Sequence, residues 1–431
     1  MRLDTLHDDL LRSDRLLLGL DDSLLLLSPE LERPLQLDGV AGMAGPHLMT
    51  ELPESSLRRQ LADLNQLRAV TGRESLQLEL QTLLLLDDEV KTRARIHIIH
   101  LAAESATGQA NTVRWLLLQT LRGYEKSGQR IATRLRAIPD TNPLVYNELT
   151  RTLGFSLSSY QAKPQLQLQA DAPIKQTVCQ MINAHLDIAR ANEAGILADI
   201  DTEHLHDYRV NLRKIRSLLS LVKGLFSAEQ TAQLKQTLAG FMHVTNRLRD
   251  LDVYLLEREE YLQQVKPKLR PALDGLFDEF ASERNRALKQ VQRQLKSKKY
   301  QQAITALQTA FANPEQLEDG EQALRPSRPY ATHLIWKRYR KVCKLAAAIN
   351  KKTPDEDVHT LRIHCKKLRY LMEFFSAFFP KKSIKTLIKT LKHLQDNLGR
   401  FNDYAVQQAA LQTYLDTATA CLRSGSRPSR H

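Results

Sequence analysis

Between Val358 and Phe375 the chain reads VHTLRIHCKKLRYLMEFF, carrying His359, Arg362, Lys366, Lys367 and Arg369 against one acid, Glu373. At the helical period His359, Arg362, Lys366 and Arg369 fall within about 80° of one another, while Lys367 lies off that stripe. Leu361, Cys365, Leu368, Leu371, Met372 and Phe375 take the other side. Such a stripe has the chemistry of anion recognition. Guanidinium forks and ammonium groups at one-turn spacing can neutralise successive phosphates. Histidines can donate hydrogen bonds to phosphate, and a polyanion would raise their pKa and keep them charged. An ordinary solvated helix face is the plainer explanation, but such faces mix signs to gain i,i+4 pairs. The four members of this stripe include no acid.

The stripe has a twin. HDYRVNLRKIRSLLSLVKGLF begins at His206, 153 positions before His359. Under that shift Arg209 falls on Arg362, Arg213 on Lys366, Lys214 on Lys367 and Arg216 on Arg369. The register continues, with Arg247 on Arg400, Asp250 on Asp403 and Val253 on Val406. Upstream, Ala184-His185-Leu186 matches Thr332-His333-Leu334 at a shift of 148, which predicts a longer loop at KKTPDED in the second copy. Two copies of a multi-helix unit, about four helices each, account for the pattern.

The charge is concentrated there. The 431-residue chain has a formal net charge of +13, whereas residues 325–400 alone hold 19 Lys/Arg against 5 Asp/Glu. Lys337, Arg340, Lys341 and Lys344 share a face with His333, and Lys385, Lys389 and Lys392 form another. Three basic faces in one bundle could line a groove in which low-dielectric walls strengthen the field. Nucleic-acid binding and a pure scaffold are alternative uses of these charges. The chain shows no zinc finger, P-loop or RNA-recognition pattern. Trp336, Tyr339 and Tyr370 do not interleave regularly with the cations and are expected in the core.

Other chemistries find little support. The histidines sit among cations, unlike a metal site, and no nucleophile–base set is evident. Cys365 lies on the apolar face and is expected in the core. Four scattered cysteines suit a reducing cytoplasm. No stretch reads as a signal peptide or a bilayer span, so a soluble protein without a membrane partner is expected.

The elements that carry the cations are helices from about Pro173 onward, with breaks near Asp199–Thr202, Ser227, Pro267–Pro271, Asn313–Pro329, Lys351–Asp357 and Phe379–Pro380. Residues 1–158 differ. RLLLGL, SLLLLSPEL, SLQLELQTLLLLDDEVKTRARIHIIH and TVRWLLLQTL read as strands, with their leucine content leaving helix open for each. PESSLRRQLADLNQLRAVTG, from Pro53 to Gly72, reads as a helix. Residues 159–172 read as a linker and 423–431 as a disordered tail. The expected fold is mainly α, with a C-terminal pair of four-helix-bundle repeats preceded by a smaller α+β N-terminal domain.

The two H-x-x-R-x-x-x-[RK]-[RK]-x-R helices and the segments NRLRDLDV and GRFNDYAV that follow them resemble the CHAD family, the conserved-histidine α-helical domain. The resemblance covers about residues 173–422, with copies near 173–300 and 328–422. It implies two four-helix repeats around a basic channel, binding of inorganic polyphosphate, and a cytoplasmic location at polyphosphate granules. The implied ligands are His206, Arg209, Arg213, Lys214, Arg216, His359, Arg362, Lys366, Lys367 and Arg369, with Arg247 and Arg400 as further candidates. Asp250 and Asp403 are expected to orient basic side chains. Copy two departs from the family's R-D-x-D-V, reading N-D-Y-A-V from Asn402 to Val406. LLLLDDEVKTRARI and LRGYEKSGQRIATRL look like remnants of the CYTH fold, a triphosphate-hydrolysing β tunnel. Its E-x-E-x-K strand is missing, since Glu79 stands alone in LQLELQ. Triphosphatase activity, a cofactor and a metal are therefore not expected.

Overall fold

The computed structural model describes residues 1–40, 45–104, 110–139, 146–155, 157–164, 166–350 and 352–399. It is mainly α, with antiparallel sheets confined to the N-terminal part. The chain divides into two compact units. One comprises Met1–Ala162, Arg190–Tyr208 and Arg247–Gln292; the other comprises Lys163–Ala189, Arg209–Asn246 and the chain from Arg293 onward.

The first unit is built on leucine. Strands β1 (Arg2–Asp4), β2 (Leu16–Gly19), β3 (Ser23–Leu27), β4 (Leu35–Asp38), β5 (His47–Leu48) and β6 (Ala69–Gly72) form one sheet in the order β4-β3-β2-β1-β6-β5. The runs LLLG and SLLLL pair antiparallel, Leu17 opposite Leu26 and Leu18 opposite Leu25. They are continuous rather than alternating because both faces are buried. Leu17, Leu24 and Leu26 enter one cluster with Leu3, Leu57 and Leu61, while Leu16, Leu18, Leu25 and Leu27 enter another. The latter receives Ile99, Leu101, Trp115 and Leu117 from a second sheet, β7 (Leu76–Leu86), β8 (Thr92–Glu104) and β9 (Ala110–Thr120). Helices α1 (Asp9–Arg12), α2 (Ser56–Gln60), α3 (Glu125–Arg136) and α4 (Tyr146–Thr152) complete the N-terminal part.

The long helix expected over 53–72 does not form. Only Ser56–Gln60 is α-helical, capped by the Ser55 side chain, which accepts from Arg58 N–H. Residues 69–72 are strand β6, with Gly72 opposite Leu3 and Thr71 opposite Asp4. Ala69 and Val70 are buried there, and the edge that β1 offers outweighs the helical pattern around them.

From Ile174 the chain is helical, in α5 (Ile174–Ala191), α6 (Glu193–Leu197), α7 (Thr202–Leu221), α8 (Ala228–Val244), α9 (Asn246–Leu256), α10 (Arg258–Gln264), α11 (Arg270–Lys296), α12 (Lys298–Ala312), α13 (Ser327–Ala348), α14 (Asp355–Phe374) and a helix over residues 381–399, α15. Ser227 caps α8 and Pro354 precedes α14, at two of the expected breaks. Pro329 lies within the first turn of α13, a position that tolerates its missing N–H.

The helix starts fix the repeat. α5 and α13, α7 and α14, and α8 and α15 each begin 153 residues apart, and α7 and α14 also end 153 apart. One shift therefore serves all three pairs, and the upstream shift of 148 is corrected. His185 corresponds to Arg338, not His333. The connection after α5 contains α6, whereas α13 simply runs longer, so no extra loop in the second copy is needed.

Within the second unit the two copies meet at their first helices. Ile174 N–H donates to Arg325 O at 2.8 Å and Ser327 N–H to Ala172 O at 2.9 Å. Lys175 N–H donates to Ala323 O at 3.1 Å and Arg328 N–H to Ala170 O at 2.9 Å. Each bond becomes its partner when 153 is added to one residue and subtracted from the other. Pro173 and Pro326, themselves equivalents, form an antiparallel bridge.

Candidate anion-binding site

Helix α14 buries the face its periodicity assigns to the core. Leu361, Cys365, Leu368 and Met372 cluster with Val342 and Ile384, and Cys365 is wholly buried. On α7, Leu212, Ile215, Leu218 and Leu219 are buried in the same fashion. The basic faces are thereby turned out of both cores.

Lys366 feels the charge of Arg213, its equivalent in the other copy. Lys366 keeps solvent access. Partial burial, and then the charges of Arg213, Arg362 and Arg369, hold its ammonium below the usual lysine range. An ammonium lowered by three guanidinium groups marks a concentration of positive charge that folding itself does not need. Lys366 and Arg369 also lie over the Tyr370 ring, 5.9 and 5.1 Å from its centroid.

The outer arginines are held by matching positions. Arg369 Nε donates to Gln395 Oε1 at 2.9 Å, and Arg216 Nη1 approaches Met242 Sδ at 3.6 Å. Met242 and Gln395 are again 153 apart. Arg369 additionally pairs with Glu373 at 2.6 Å, so one stripe cation does have an acidic partner. Arg209 donates to Met242 O at 3.2 Å and to Thr245 Oγ1.

A second correspondence lies one helix back. His185 Nδ1 and Asn211 Oδ1 are 2.7 Å apart, and Arg338 Nη1 and His364 Nδ1, their equivalents, are 3.0 Å apart. Burial and the Lys214 charge push His185 down to about 4. Burial, then Arg338, Lys367 and Lys341, lower His364. Lys366 and Lys367 thus serve different groups: Lys366 joins Arg213, while Lys367 joins Arg338, Lys341 and His364.

The remaining sequence candidates are dispersed. Lys337, Arg340 and Lys344 are exposed along α13, and Lys385, Lys389 and Lys392 along α15. His359 is half-buried on α14, in the second unit; His206, on α7, is half-buried and falls in the first unit. Arg247, also in the first unit, forms a two-pronged pair with Glu283 at 2.6 and 2.5 Å. Asp250 is exposed, whereas Asp252 is the buried acid of that segment, bound by Arg284 at 2.7 Å. Arg400 and Asp403 lie outside the described residues.

Two residues escape a search for repeated cations. Lys235 on α8 is lowered by burial, Lys223 and Arg216, but its equivalent is Ile388, so the repeat conceals it. Arg338 is hidden by the 148 shift. The core assignment of Trp336 and Tyr339 is also corrected. They are 56% and 45% exposed and stack on one another at 5.4 Å. Their i,i+3 spacing on the polar side of α13 leaves them outside the core. Among the described residues no group of three His, Cys, Asp or Glu could hold a metal ion, and no helix is long and apolar enough to cross a membrane.

The CHAD domain family model matches residues 180–412, more than half of the chain. This chain belongs to the CHAD family. Two curated proteins of Mycobacterium tuberculosis, the uncharacterized proteins MT2285 (strain CDC 1551 / Oshkosh) and Rv2226 (strain ATCC 25618 / H37Rv), are each 25% identical over 215 residues. That stretch is 48% of this chain and 40% of each relative, so the CHAD chain spans about two fifths of their length. Among solved structures, the CHAD domain from the plant Ricinus communis is 23% identical, with a TM-score of 0.46, covering 62% of this chain and 88% of that one. PptA from Streptomyces chartreusis is 16% identical, with a TM-score of 0.40, covering 60% and 89%.

Proposed function

We propose that this protein binds inorganic polyphosphate, without catalysis, through the basic faces of α7 and α14, and that it associates with polyphosphate granules in the cytoplasm. The CHAD family is associated in general with polyphosphate binding. The observation that carries the reading is that α7 and α14 bury their apolar faces and turn their basic stripes outward, where the charges of Arg213, Arg362 and Arg369 converge on Lys366. Like charges held together at mutual cost are relieved by a bound anion. A phosphate chain supplies about one charge per unit with no base to be read, which suits cations at one-turn spacing. The N-terminal sheets then serve a structural or docking role.

A second reading rests on Trp336 and Tyr339. A stacked, exposed aromatic pair on α13 beside Lys337 and Arg340 suits single-stranded nucleic acid. Titration calorimetry of the full chain with long-chain polyphosphate, single-stranded RNA and duplex DNA at one salt concentration decides. Polyphosphate should bind tightest. Arg362→Ala with Arg369→Ala should weaken it about 100-fold, because each substitution removes one charge-assisted hydrogen bond to phosphate. Equal affinity for DNA, with polyphosphate binding untouched by those substitutions, would reject the proposal.

A further inference from the structure

Reciprocal contacts between equivalent residues of two copies mark an axis that exchanges the copies. Pro173 and Pro326 form such a contact, and the four backbone hydrogen bonds around them are reciprocal. Within the basic site the charge of Arg213 reaches its equivalent Lys366, adding to the effect of burial there. A local two-fold axis at Pro173 and Pro326 therefore relates the two copies, and with them the basic stripes of α7 and α14. Arg209 and Arg216 on one side of it answer to Arg362 and Arg369 on the other.

We infer that this site takes a linear polyanion that has no chemical direction, and takes it in both orientations. The inference rests on the polyphosphate reading and adds a binding mode to it. A nucleic acid or a peptide presents different groups to each half of a two-fold site when it is reversed. A linear polyphosphate presents the same ones, so each half of the chain meets the same set of guanidinium groups. The centre of the bound segment lies at Arg213 and Lys366, with its two arms spread over the two copies.

Thr237 and Thr390 give a direct test. They are equivalent positions on α8 and α15, and each hydroxyl donates to a carbonyl of its own helix, Gln233 O and Thr386 O. Nitroxides at Thr237→Cys or Thr390→Cys, in full-length chain with the native cysteines replaced by serine, would be paired with polyphosphate spin-labelled at one terminus. Binding in both orientations yields the same two distance populations at both positions. In parallel, Arg216→Ala and Arg369→Ala should each weaken polyphosphate about ten-fold and agree within about three-fold. A labelled chain that binds but is near at one position and far at the other overturns the inference and leaves polyphosphate binding standing. A chain that does not bind overturns both.

Discussion

Gln395 accepts a hydrogen bond from Arg369 at the place where, in the other copy, Met242 meets Arg216 only through its thioether. An amide oxygen fixes a guanidinium group, whereas sulfur is a weak acceptor. Arg369 is consequently the better ordered of the two before any ligand arrives. Met242→Gln should raise polyphosphate affinity about three-fold, and Gln395→Met should lower it about three- to ten-fold, one hydrogen bond's worth. Calorimetry on the two single variants tests both signs.

Lys366 should trade binding against stability. Its replacement by Met removes repulsion with Arg213, Arg362 and Arg369 and keeps the aliphatic stem. The ligand-free melting temperature should rise by about 1–2 °C, while polyphosphate affinity falls about ten-fold. A melting temperature that drops would show that the Lys366 charge is not a burden on the fold.

Acid should destabilise the protein through its buried histidines, against a smaller opposite contribution from Asp4, which burial pushes up to about 6. His185 is pushed down to about 4 by burial and Lys214, and His7 to about 4 by burial and Arg68. His204 is pushed to about 2 by burial, Arg68 and His7. All three are buried, and an unfolded histidine titrates near 6.5. The unfolded chain thus binds more protons below that pH, so stability is full above it and falls as pH drops toward the folded values. At pH 5 His185 alone should cost about 2 kcal/mol. Denaturant unfolding at pH 7 and 5 should show the loss, and His185→Gln should remove that share of the slope.

Gly195 admits His204. A Cβ at Gly195 would run into the imidazole ring, whose Nδ1 is 3.0 Å from Asn192 Oδ1. His204 is also edge-on to His7, which stacks on Tyr160 at 3.5 Å. No flexible end is available to give way. Gly195→Ala should therefore destabilise by about 2–3 kcal/mol, despite alanine's better helix propensity. Urea unfolding measures it, and a stabilised variant would show that the His204 ring moves aside.

The cationic faces of α7 and α14 are legible in the sequence because apolar and basic residues repeat there at the helical period. The leucine runs Leu16–Leu18 and Ser23–Leu27 announce strands less directly, since burial on both faces erases alternation. The helix read into 53–72 fails for a non-local reason, the edge that β1 presents to Ala69–Gly72. The repeat is plain in the sequence, but a repeat does not say that its copies face each other. Nothing in a spacing of 153 says that equivalent segments touch; the reciprocal bonds around Pro173 and Pro326 do. The Trp336–Tyr339 pair is misjudged from composition, because large aromatics are usually buried.

The reciprocal bonds at Pro173 and Pro326 are those that two identical protomers exchange in a symmetric dimer. Here they lie within one polypeptide, so the two halves are held as a dimer's subunits would be without having to be identical. The difference is visible where His185 and Asn211 in one half stand at the positions of Arg338 and His364 in the other. One half holds a neutral contact there, and its equivalent carries the charge of Arg338.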